Sequence, residues 1–193
     1  MEIQIEVLSA NKFVQFNPMQ QKALDAGIFG ESVVVSAPTA SGKTIIAELC
    51  ALNSILDNKK KVIYTCPLRA LAAEHYSDFK KKYSKQFGIR MAISTGDFDS
   101  SSSYLQNYDL IFTTYEKLQS LLRHKAAWIN SVGLVIIDEQ HRFGGQQRAA
   151  LVKNQDYIPH LLAMTATPIP RTLALTIYGD LDISIIKEKP KNR

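Results

Sequence analysis

Short apolar runs and longer stretches with helical patterns alternate along most of the chain. The apolar runs are nearly continuous in Val, Ile and Leu, which is typical of strands buried on both faces of a parallel sheet. This alternation predicts an α/β fold with a doubly wound, mainly parallel sheet and helices on both faces. The predicted strands are 32–37, 61–66, 89–94, 109–114, 134–138 and 160–164, and the predicted helices are 18–27, 43–57, 68–86, 115–123, 146–153 and 170–178.

The length and composition of the chain fit one domain. With 193 residues, of which 46% are hydrophobic, the chain can fill the core of one α/β domain and is short for two. We therefore assign residues 1–186 to a single domain. Residues 187–193 are charged and contain proline, which is typical of a linker that leaves a domain.

Charge, cysteine spacing and hydropathy restrict the partners and the cellular location that we expect for the protein. Lys and Arg number 23 against 18 Asp and Glu, and the net charge of +5 fits a polyanionic partner without requiring one. Cys50 and Cys66 lack the CxxC spacing of a metal or redox pair, so we interpret both as reduced core residues. The sequence has no apolar run of about 18 residues and no signal peptide, which predicts a cytoplasmic protein without membrane contact.

The segment APTASGKT, residues 37–44, connects a predicted strand to a predicted helix. A small, flexible loop in this position directs backbone N–H groups and the positive end of the helix at an anion. Lys43 can reach β- and γ-phosphates, and the Thr44 hydroxyl can bind Mg²⁺. Ala37 stands where the common pattern has its first Gly, which is tolerable if Ala37 keeps a negative φ. The pattern predicts a P-loop that binds ATP or GTP through Thr39, Ala40, Ser41, Gly42, Lys43 and Thr44.

Two adjacent carboxylates, Asp138 and Glu139, follow the apolar run 134–137. A solvated strand end would explain such a pair if it stood alone. In a P-loop protein, a carboxylate at the end of a neighbouring buried strand holds the Mg²⁺ shell, and a second one can polarise the attacking water. Because the backbone turns past the strand end, both side chains can face the nucleotide. We predict that Lys43, Asp138 and Glu139 are catalytic and that Thr44 and Asp138 hold Mg²⁺, Asp138 through water.

Together with these motifs, several further segments resemble the first RecA-like motor domain of superfamily 2 helicases, in the order and at the spacing of that family. FNPMQQKAL (16–24) is similar to the Q-motif region, which implies that Gln20 recognises the adenine edge and selects ATP. An amide suits that role because it can donate and accept at once. TAT (165–167) is similar to motif III, which links hydrolysis to the nucleic-acid face. The implied coupling residues are Gln140, His141, Thr165 and Thr167.

Three other segments are similar to family motifs that contact the nucleic-acid strand: PLRALAAE (67–74), STGD (94–97) and TTYEKLQSLLR (113–123). Such contacts position a strand through its phosphates without recognising its sequence. Composition alone would assign the same residues to ordinary loops and helix starts, and we interpret the lysine runs at 59–61 and 80–82 as solvated. The implied nucleic-acid contacts are Pro67, Arg69, Thr95, Gly96, Thr114 and Lys117.

The resemblance divides near the carboxylate pair. Residues 17–139 resemble archaeal HELQ-type helicases, which are relatives of the Ski family, whereas residues 138–188 resemble RecG, the branch-migration helicase. A natural lineage that combines the two patterns and an engineered join are both compatible with this sequence.

The resemblance implies the ATP-binding motor domain of an ATP-dependent DNA helicase or translocase that acts on forked or branched DNA, with ATP and Mg²⁺ as cofactors. The implied partners are single-stranded or forked DNA and a second RecA-like domain, which supplies arginine fingers in these helicases. We expect the isolated domain to be monomeric and weakly active or inactive. An RNA helicase domain and a non-catalytic nucleotide-dependent binding module are the alternatives.

Overall fold

A parallel β-sheet forms the centre of the described structure. The structure is a computed structural model that describes residues 2–38, 40–96, 102–139, 159–166 and 183–187. Its strands are β1 (Ser32–Ser36), β2 (Lys61–Cys66), β3 (Met91–Ser94), β4 (Leu110–Thr114), β5 (Val132–Ile137), β6 (His160–Thr165) and β7 (Ile183–Lys187). The strand order is β3-β4-β2-β5-β6-β1-β7, with neighbouring strands parallel. This order confirms the predicted doubly wound parallel sheet.

All six predicted strands are confirmed, with small shifts at their ends. Strand β5 begins at Val132 and includes Gly133, which the apolar pattern leaves outside the strand. A Cβ atom at Gly133 would lie 2.6 Å from Cβ of Lys60, so β5 packs too closely against the residue before β2 for a larger side chain. Gly133 is therefore a packing residue of the strand and not a turn residue.

The seventh strand was not predicted. Strand β7 pairs with β1 from Ser32 opposite Ile183 to Ser36 opposite Lys187. Its sequence, ISIIK, adjoins the charged tail, and its partner lies near the other end of the chain, so the local pattern does not indicate the pairing. Lys187, which composition assigns to the linker, is the last residue of this strand. Residues 188–193 lie outside the described residues, and the linker stays a prediction.

Among the described residues, α-helices connect β1 to β2, β2 to β3 and β4 to β5, as the alternation predicts. The α-helices are α1 (Glu2–Ala10), α2 (Pro18–Asp25), α3 (Lys43–Leu52), α4 (Arg69–Phe79), α5 (Lys85–Phe87) and α6 (Tyr115–Arg123), and the 3-10 helices are Ser103–Asn107 and Ala127–Ser131. A π-helical turn, Asn53–Asp57, extends α3, and another, Lys80–Ser84, joins α4 to α5. The predicted helices 146–153 and 170–178 lie outside the described residues. None of the helices described is long and apolar enough to span a membrane.

The sequence predicts the start of helix α2 but does not predict helix α1. Helix α2 begins as predicted: the Asn17 side chain accepts a hydrogen bond from Gln20 N, the Gln20 side chain accepts one from Asn17 N, and Pro18 occupies the first turn. Helix α1 was not predicted, and tertiary contacts hold it. Val7 is fully buried against the core, and Asn11, just after the helix, donates a hydrogen bond to Glu48.

Strand residues alternate between the two faces of the sheet, and each face has its own core. On the first face, helices α1 to α5 pack on strand residues that include Val35, Tyr64 and Phe112. On the second face, α6 and the two 3-10 helices pack on residues that include Ile63 and Ile137. This arrangement confirms the prediction of helices on both faces.

Candidate functional site

The loop between β1 and α3 starts beside the end of β6. The backbone N–H of Ala37 donates to the carbonyl of Thr165 at 3.1 Å. Ala37 does not have a positive φ, which meets the condition for alanine at this position. Ala40 and Gly42, with φ of 59° and 86°, are left-handed and curve the loop around the start of α3.

The first turn of α2 supports this loop. The Asn17 side chain donates to the carbonyl of Ser41 at 2.9 Å, and Gln20 Nε2 donates to the carbonyl of Gly42 at 3.1 Å. A Cβ atom at Gly42 would lie 2.4 Å from Gln20 Nε2, so a larger residue would displace the Gln20 amide and strain the left-handed backbone. Gln20 is only 3% exposed, and its position links the Q-motif region directly to the loop.

Lys43 connects the loop to the paired carboxylates. Its Nζ donates to the carbonyls of Ala37 and Pro38, each at 2.7 Å. Burial lowers the pKa of Lys43, and the negative charges of Asp138 and Glu139 oppose that shift. The loop follows β1 and the carboxylates follow β5, and only β6 separates these two parallel strands, so the loop and the carboxylate pair lie at the same end of the sheet.

The carboxylates follow the end of β5 in the turn that the sequence predicts. The Asp138 N–H donates to the carbonyl of Thr65 at 3.0 Å, which extends the pairing of β5 with β2 by one residue. Glu139 has φ 54°, a left-handed conformation that costs a non-glycine residue about 1 to 2 kcal/mol. Its N–H donates to Asp138 Oδ1 at 3.1 Å, and the Tyr115 hydroxyl donates to the Asp138 carbonyl.

His75 is a site residue that the sequence patterns do not reveal. Its Nε2 lies 3.2 Å from Asp138 Oδ2, and its ring lies 4.8 Å from the ring of Tyr64, measured between centroids. The signal is not local, since His75 belongs to α4 and Asp138 comes 63 residues later. Only proximity in three dimensions brings this imidazole to the carboxylate.

A thiol lies beside this pair. The ligand atoms of Cys66, His75 and Asp138 are all within 4.8 Å of one another. Burial, and then the charge of Asp138, raises the pKa of the Cys66 thiol well above its usual value. Burial also raises the pKa of Cys50 to about 12. Both cysteines are free and buried, as predicted.

Part of the predicted coupling set can be placed. Thr165 is fully buried at the end of β6, where it lies opposite Ser36 of β1. Its carbonyl accepts the hydrogen bond from Ala37, so β6 contacts the start of the loop directly. The other predicted coupling residues, Gln140, His141 and Thr167, lie outside the described residues, as does Thr39 of the loop.

The predicted nucleic-acid contacts separate into surface and buried residues. Pro67 and Arg69 follow β2, and Thr95 and Gly96 follow β3, so all four lie at the carboxyl edge of the sheet. Arg69 is exposed and the other three are half-buried. Thr114 and Lys117 are instead 3% and 1% exposed, and the Thr114 hydroxyl accepts a hydrogen bond from Lys117 N at the start of α6. These two residues lie beneath the surface and not on it.

Two lysines from the runs at 59–61 and 80–82 form hydrogen bonds with other parts of the chain. Lys61 Nζ donates to the carbonyls of Gln106 and Tyr108 at 2.7 and 2.6 Å, and Lys82 Nζ donates to Glu48 Oε1 at 2.6 Å. The interpretation as solvated lysines is therefore wrong for Lys61 and Lys82. Lys59 and Lys60 precede β2 and Lys61 is its first residue, so this run lies at the end of the strand opposite Arg69.

The chemistry of the loop and the strand end fits a nucleotide with Mg²⁺. The Ser41 hydroxyl oxygen is buried in the loop without a hydrogen-bond partner among the described residues, which suits a ligand with acceptor oxygens. Lys43 supplies a cation, and Thr44, half-buried in the first turn of α3, supplies a hydroxyl. Hydroxyl and carboxylate oxygens, such as those of Thr44 and Asp138, are the ligands that Mg²⁺ prefers.

A parallel sheet with this loop and this carboxylate pair defines the P-loop class of nucleotide-binding domains. The family model described as DEAD/DEAH box helicase matches residues 17–176. The chain therefore belongs to the DEAD/DEAH box helicase family.

Relatives in this family come from both groups that the sequence resembles. The chain is 41% identical over 175 residues to the ATP-dependent DNA helicase Hel308 of Methanocaldococcus jannaschii, covering 84% of this chain and 14% of that protein. It is 41% identical over 168 residues to the ATP-dependent DNA helicase RecG of Aquifex aeolicus, covering 83% of this chain and 20% of that protein. The resemblance to both groups is confirmed. Since each alignment covers more than four-fifths of the chain, neither likeness is confined to one side of residue 139.

Solved structures support the fold. The helicase MrfA bound to DNA and AMPPNP matches with a TM-score of 0.81 and 22% identity, covering 97% of this chain and 29% of that chain. The predicted RecA-like α/β fold is thereby confirmed. The chain spans between 14% and 20% of the length of the two relatives named above.

Proposed function

We propose that this chain is the ATP-binding motor domain of an ATP-dependent DNA helicase or translocase that acts on forked or branched DNA. The observation that carries the proposal is that Lys43 joins the phosphate loop to the end of the sheet where the two carboxylates lie. Its ammonium donates to two carbonyls of the phosphate loop and lies at the same end of the sheet as Asp138 and Glu139, which follow β5. That combination of charges suits binding and hydrolysis of a nucleoside triphosphate.

The loop residues have distinct roles in this proposal. Lys43 now donates to two loop carbonyls, and phosphate oxygens would replace those acceptors when a nucleotide binds. Bound Mg²⁺, held by Thr44 and Asp138, would neutralise charge on the phosphates. Glu139 would accept a hydrogen bond from the attacking water and orient it.

Gln20 would select adenine with the part of its amide that the loop leaves free. Its Oε1 accepts from Asn17 N, and its Nε2 donates to the Gly42 carbonyl. An amide has two acceptor sites and two N–H groups, so one of each remains for the adenine edge in these contacts. The same side chain would thus report occupancy of the base site to the phosphate loop.

The carboxyl edge of the sheet is the proposed track for the DNA strand. Arg69 is exposed there, and Pro67, Thr95 and Gly96 are half-buried around it. We retain these four residues as proposed phosphate contacts. Because Thr114 and Lys117 are buried, we assign them to supporting the start of α6 beneath this edge.

Both Hel308 and RecG are named as ATP-dependent DNA helicases, which favours DNA over RNA for this chain. We propose that the domain works with a second RecA-like domain, and that alone it is monomeric, binds ATP weakly and hydrolyses it slowly or not at all. Cytoplasmic location stays a prediction. The non-catalytic alternative is weakened because Lys43, Thr44, Asp138 and Glu139 are all retained.

Nucleotide binding by matched variants tests the phosphate site. Lys43→Ala should weaken binding of a fluorescent ATP analogue by about 10- to 100-fold, because charge-assisted hydrogen bonds to phosphate are lost. Glu139→Gln should bind as the wild type does, and so should Lys59→Ala, an exposed lysine at the opposite sheet edge. Binding by Lys43→Ala within twofold of the wild type would contradict the assignment.

Comparison of nucleic acids at one fixed salt concentration tests the substrate. We expect the chain to bind forked DNA more tightly than single-stranded RNA of equal length. We also expect Arg69→Ala to weaken binding of forked DNA. Equal affinity for RNA and forked DNA would favour the RNA helicase alternative. The salt concentration must be the same throughout because phosphate contacts are strongly salt-dependent.

A further inference from the structure

The imidazole of His75 lies at the candidate site beside Asp138. His75 lies in α4, and its Nε2 is 3.2 Å from Asp138 Oδ2. Both side chains are mostly shielded, at 15% and 17% exposure. A hydrogen bond in such surroundings restricts a carboxylate more than the same contact would in water.

The imidazole is itself held in place. Its ring lies against Tyr64, with 4.8 Å between the ring centroids. Tyr64 is fully buried and in turn stacks on Phe112 at 5.4 Å and meets the edge of Phe79 at 5.8 Å. Since close-packed rings have little freedom, His75 presents its nitrogen to Asp138 from a rigid support.

The Asp138 carboxylate is held from two sides. Oδ1 accepts a hydrogen bond from Glu139 N at 3.1 Å, while Oδ2 faces His75. The backbone of Asp138 is fixed as well, through Thr65 and Tyr115. A carboxylate oxygen can accept more than one hydrogen bond, so each oxygen keeps capacity for a further partner.

We propose that His75 is a positioning residue that orients the Asp138 carboxylate toward the divalent cation of a bound nucleotide. The inference rests on the proposed function, since it assumes that a nucleotide and a divalent cation occupy this site. His75 acts through Asp138 and need not touch the nucleotide. Either the tautomer with hydrogen on Nε2 or the protonated imidazole makes the required donation.

The position of His75 also joins two parts of the molecule. Helix α4 starts at Arg69, the exposed residue proposed to contact the strand, and His75 lies about 9 Å further along the helix axis, at 1.5 Å per residue. One rigid helix therefore carries both the proposed strand contact and the group that orients the metal carboxylate. A shift of α4 on strand binding would change the orientation of Asp138.

Two variants separate the hydrogen bond from the packing. His75→Phe keeps a ring against Tyr64 and removes the donor, whereas His75→Gln restores a nitrogen donor at a similar reach. The control His124→Phe makes the same change at an exposed histidine that ends α6. Thermal unfolding of each variant shows that it is folded before binding is measured.

Two binding measurements test the inference on this chain. The first is the affinity for a fluorescent ATP analogue in EDTA, and the second is the affinity for Mn²⁺, followed by electron paramagnetic resonance with a saturating non-hydrolysable ATP analogue. His75→Phe should lower Mn²⁺ affinity about tenfold, within the range found when partners of metal ligands are removed. Its metal-free nucleotide affinity should stay within twofold of the wild type. His75→Gln should recover most of the Mn²⁺ affinity, and His124→Phe should match the wild type.

Several results would overturn the inference. Mn²⁺ affinity of His75→Phe within twofold of the wild type would show that His75 does not orient the metal carboxylate. An equal loss in His75→Gln, or an equal loss of metal-free nucleotide binding in His75→Phe, would remove the hydrogen-bond explanation. If the wild type bound no nucleotide, the proposed function itself would fail and this inference with it, which is a different outcome from a null effect of His75→Phe.

Discussion

The two faces of the sheet are built differently. The first face has a connected polar network: Glu48 is fully buried and accepts hydrogen bonds from Asn11, Lys82 and Tyr83 at 2.5 to 2.6 Å. Ring contacts then lead from Tyr83 through Phe79 and Tyr64 to His75, which lies beside Asp138. On the second face, the leucines of α6 pack against the sheet together with Leu105 and Trp128 from the 3-10 helices.

This difference shows how a site at a sheet edge is stabilised. His75 and Tyr64, which support the Asp138 side chain, belong to the first face, and Tyr115 of α6 adds one hydrogen bond to the Asp138 backbone from the second face. Hydrogen bonds of this kind fix directions that apolar packing leaves less defined. The second face has an ordinary apolar core that stabilises the domain as a whole. Mutations on the two faces should therefore have different consequences.

The largest effect is expected at Glu48. Glu48→Ala should lower the free energy of unfolding by about 4 kcal/mol, because it leaves the buried Tyr83 hydroxyl without its acceptor and removes the carboxylate that pairs with the Lys82 ammonium, which then keeps, among the described residues, only Asn11 Oδ1. Urea denaturation measures the loss. Glu48→Gln, which keeps the shape and one acceptor, should cost less. A loss below about 1 kcal/mol for Glu48→Ala would show that the network contributes little.

A smaller but still large effect is expected on the second face. Leu121 is fully buried, and Leu121→Ala should lower the free energy of unfolding by about 3 kcal/mol through lost burial and a cavity. Because Leu121 lies about 9 Å along α6 from Tyr115, the helix residue that contacts Asp138, the affinity of the folded variant for an ATP analogue should not change. Calorimetry and nucleotide titration test the two halves of this prediction. Altered nucleotide affinity would mean that the faces are not independent.

The smallest effect, with the opposite sign, is expected at Tyr64. Its hydroxyl is buried without a hydrogen-bond partner among the described residues, so Tyr64→Phe should raise the free energy of unfolding at pH 7 by about 1 kcal/mol. Burial, and then the charge of Asp138, holds the pKa of Tyr64 well above its ordinary value. In the unfolded chain this tyrosine ionises near pH 10, so the wild type loses stability as the pH rises above about 10.

Tyr64→Phe removes that contribution, and its stability should fall less steeply between pH 10 and 11, by about 1 kcal/mol over that interval. Urea denaturation of both proteins at pH 7, 10 and 11 gives the comparison. A less stable Tyr64→Phe protein at pH 7 would indicate that the hydroxyl has a partner in a part of the chain outside the described residues.

What the sequence predicts well is local. The loop 37–44 and the turn at Glu139 depend on consecutive residues beside strand ends, so pattern and chemistry suffice to place them. Helix α2 carries its own cap in Asn17 and Gln20. These features need no knowledge of distant contacts.

The features that the sequence does not predict depend on contacts between residues that are distant in the chain. Helix α1 forms because Val7 and Asn11 find partners in later elements, and His75 becomes a site residue because β5 brings Asp138 beside α4. Lys117 follows a strand end in a motif, which suggests a surface position, yet the orientation of α6 buries it. Burial of this kind depends on which face of the helix meets the sheet, and a single motif does not determine that.

The position of β1 also has a consequence for the order of folding. Strand β1 lies between β6 and β7, although both neighbours come much later in the chain. At a synthesis rate of about 5 to 20 residues per second, β1 would wait about 6 to 25 s on the ribosome before β6 is made. During that time β2, β4 and β5 can pair with one another, while the apolar SVVVS segment has neither neighbour. The phosphate loop is thus synthesised well before the two strands that flank β1 and complete its scaffold.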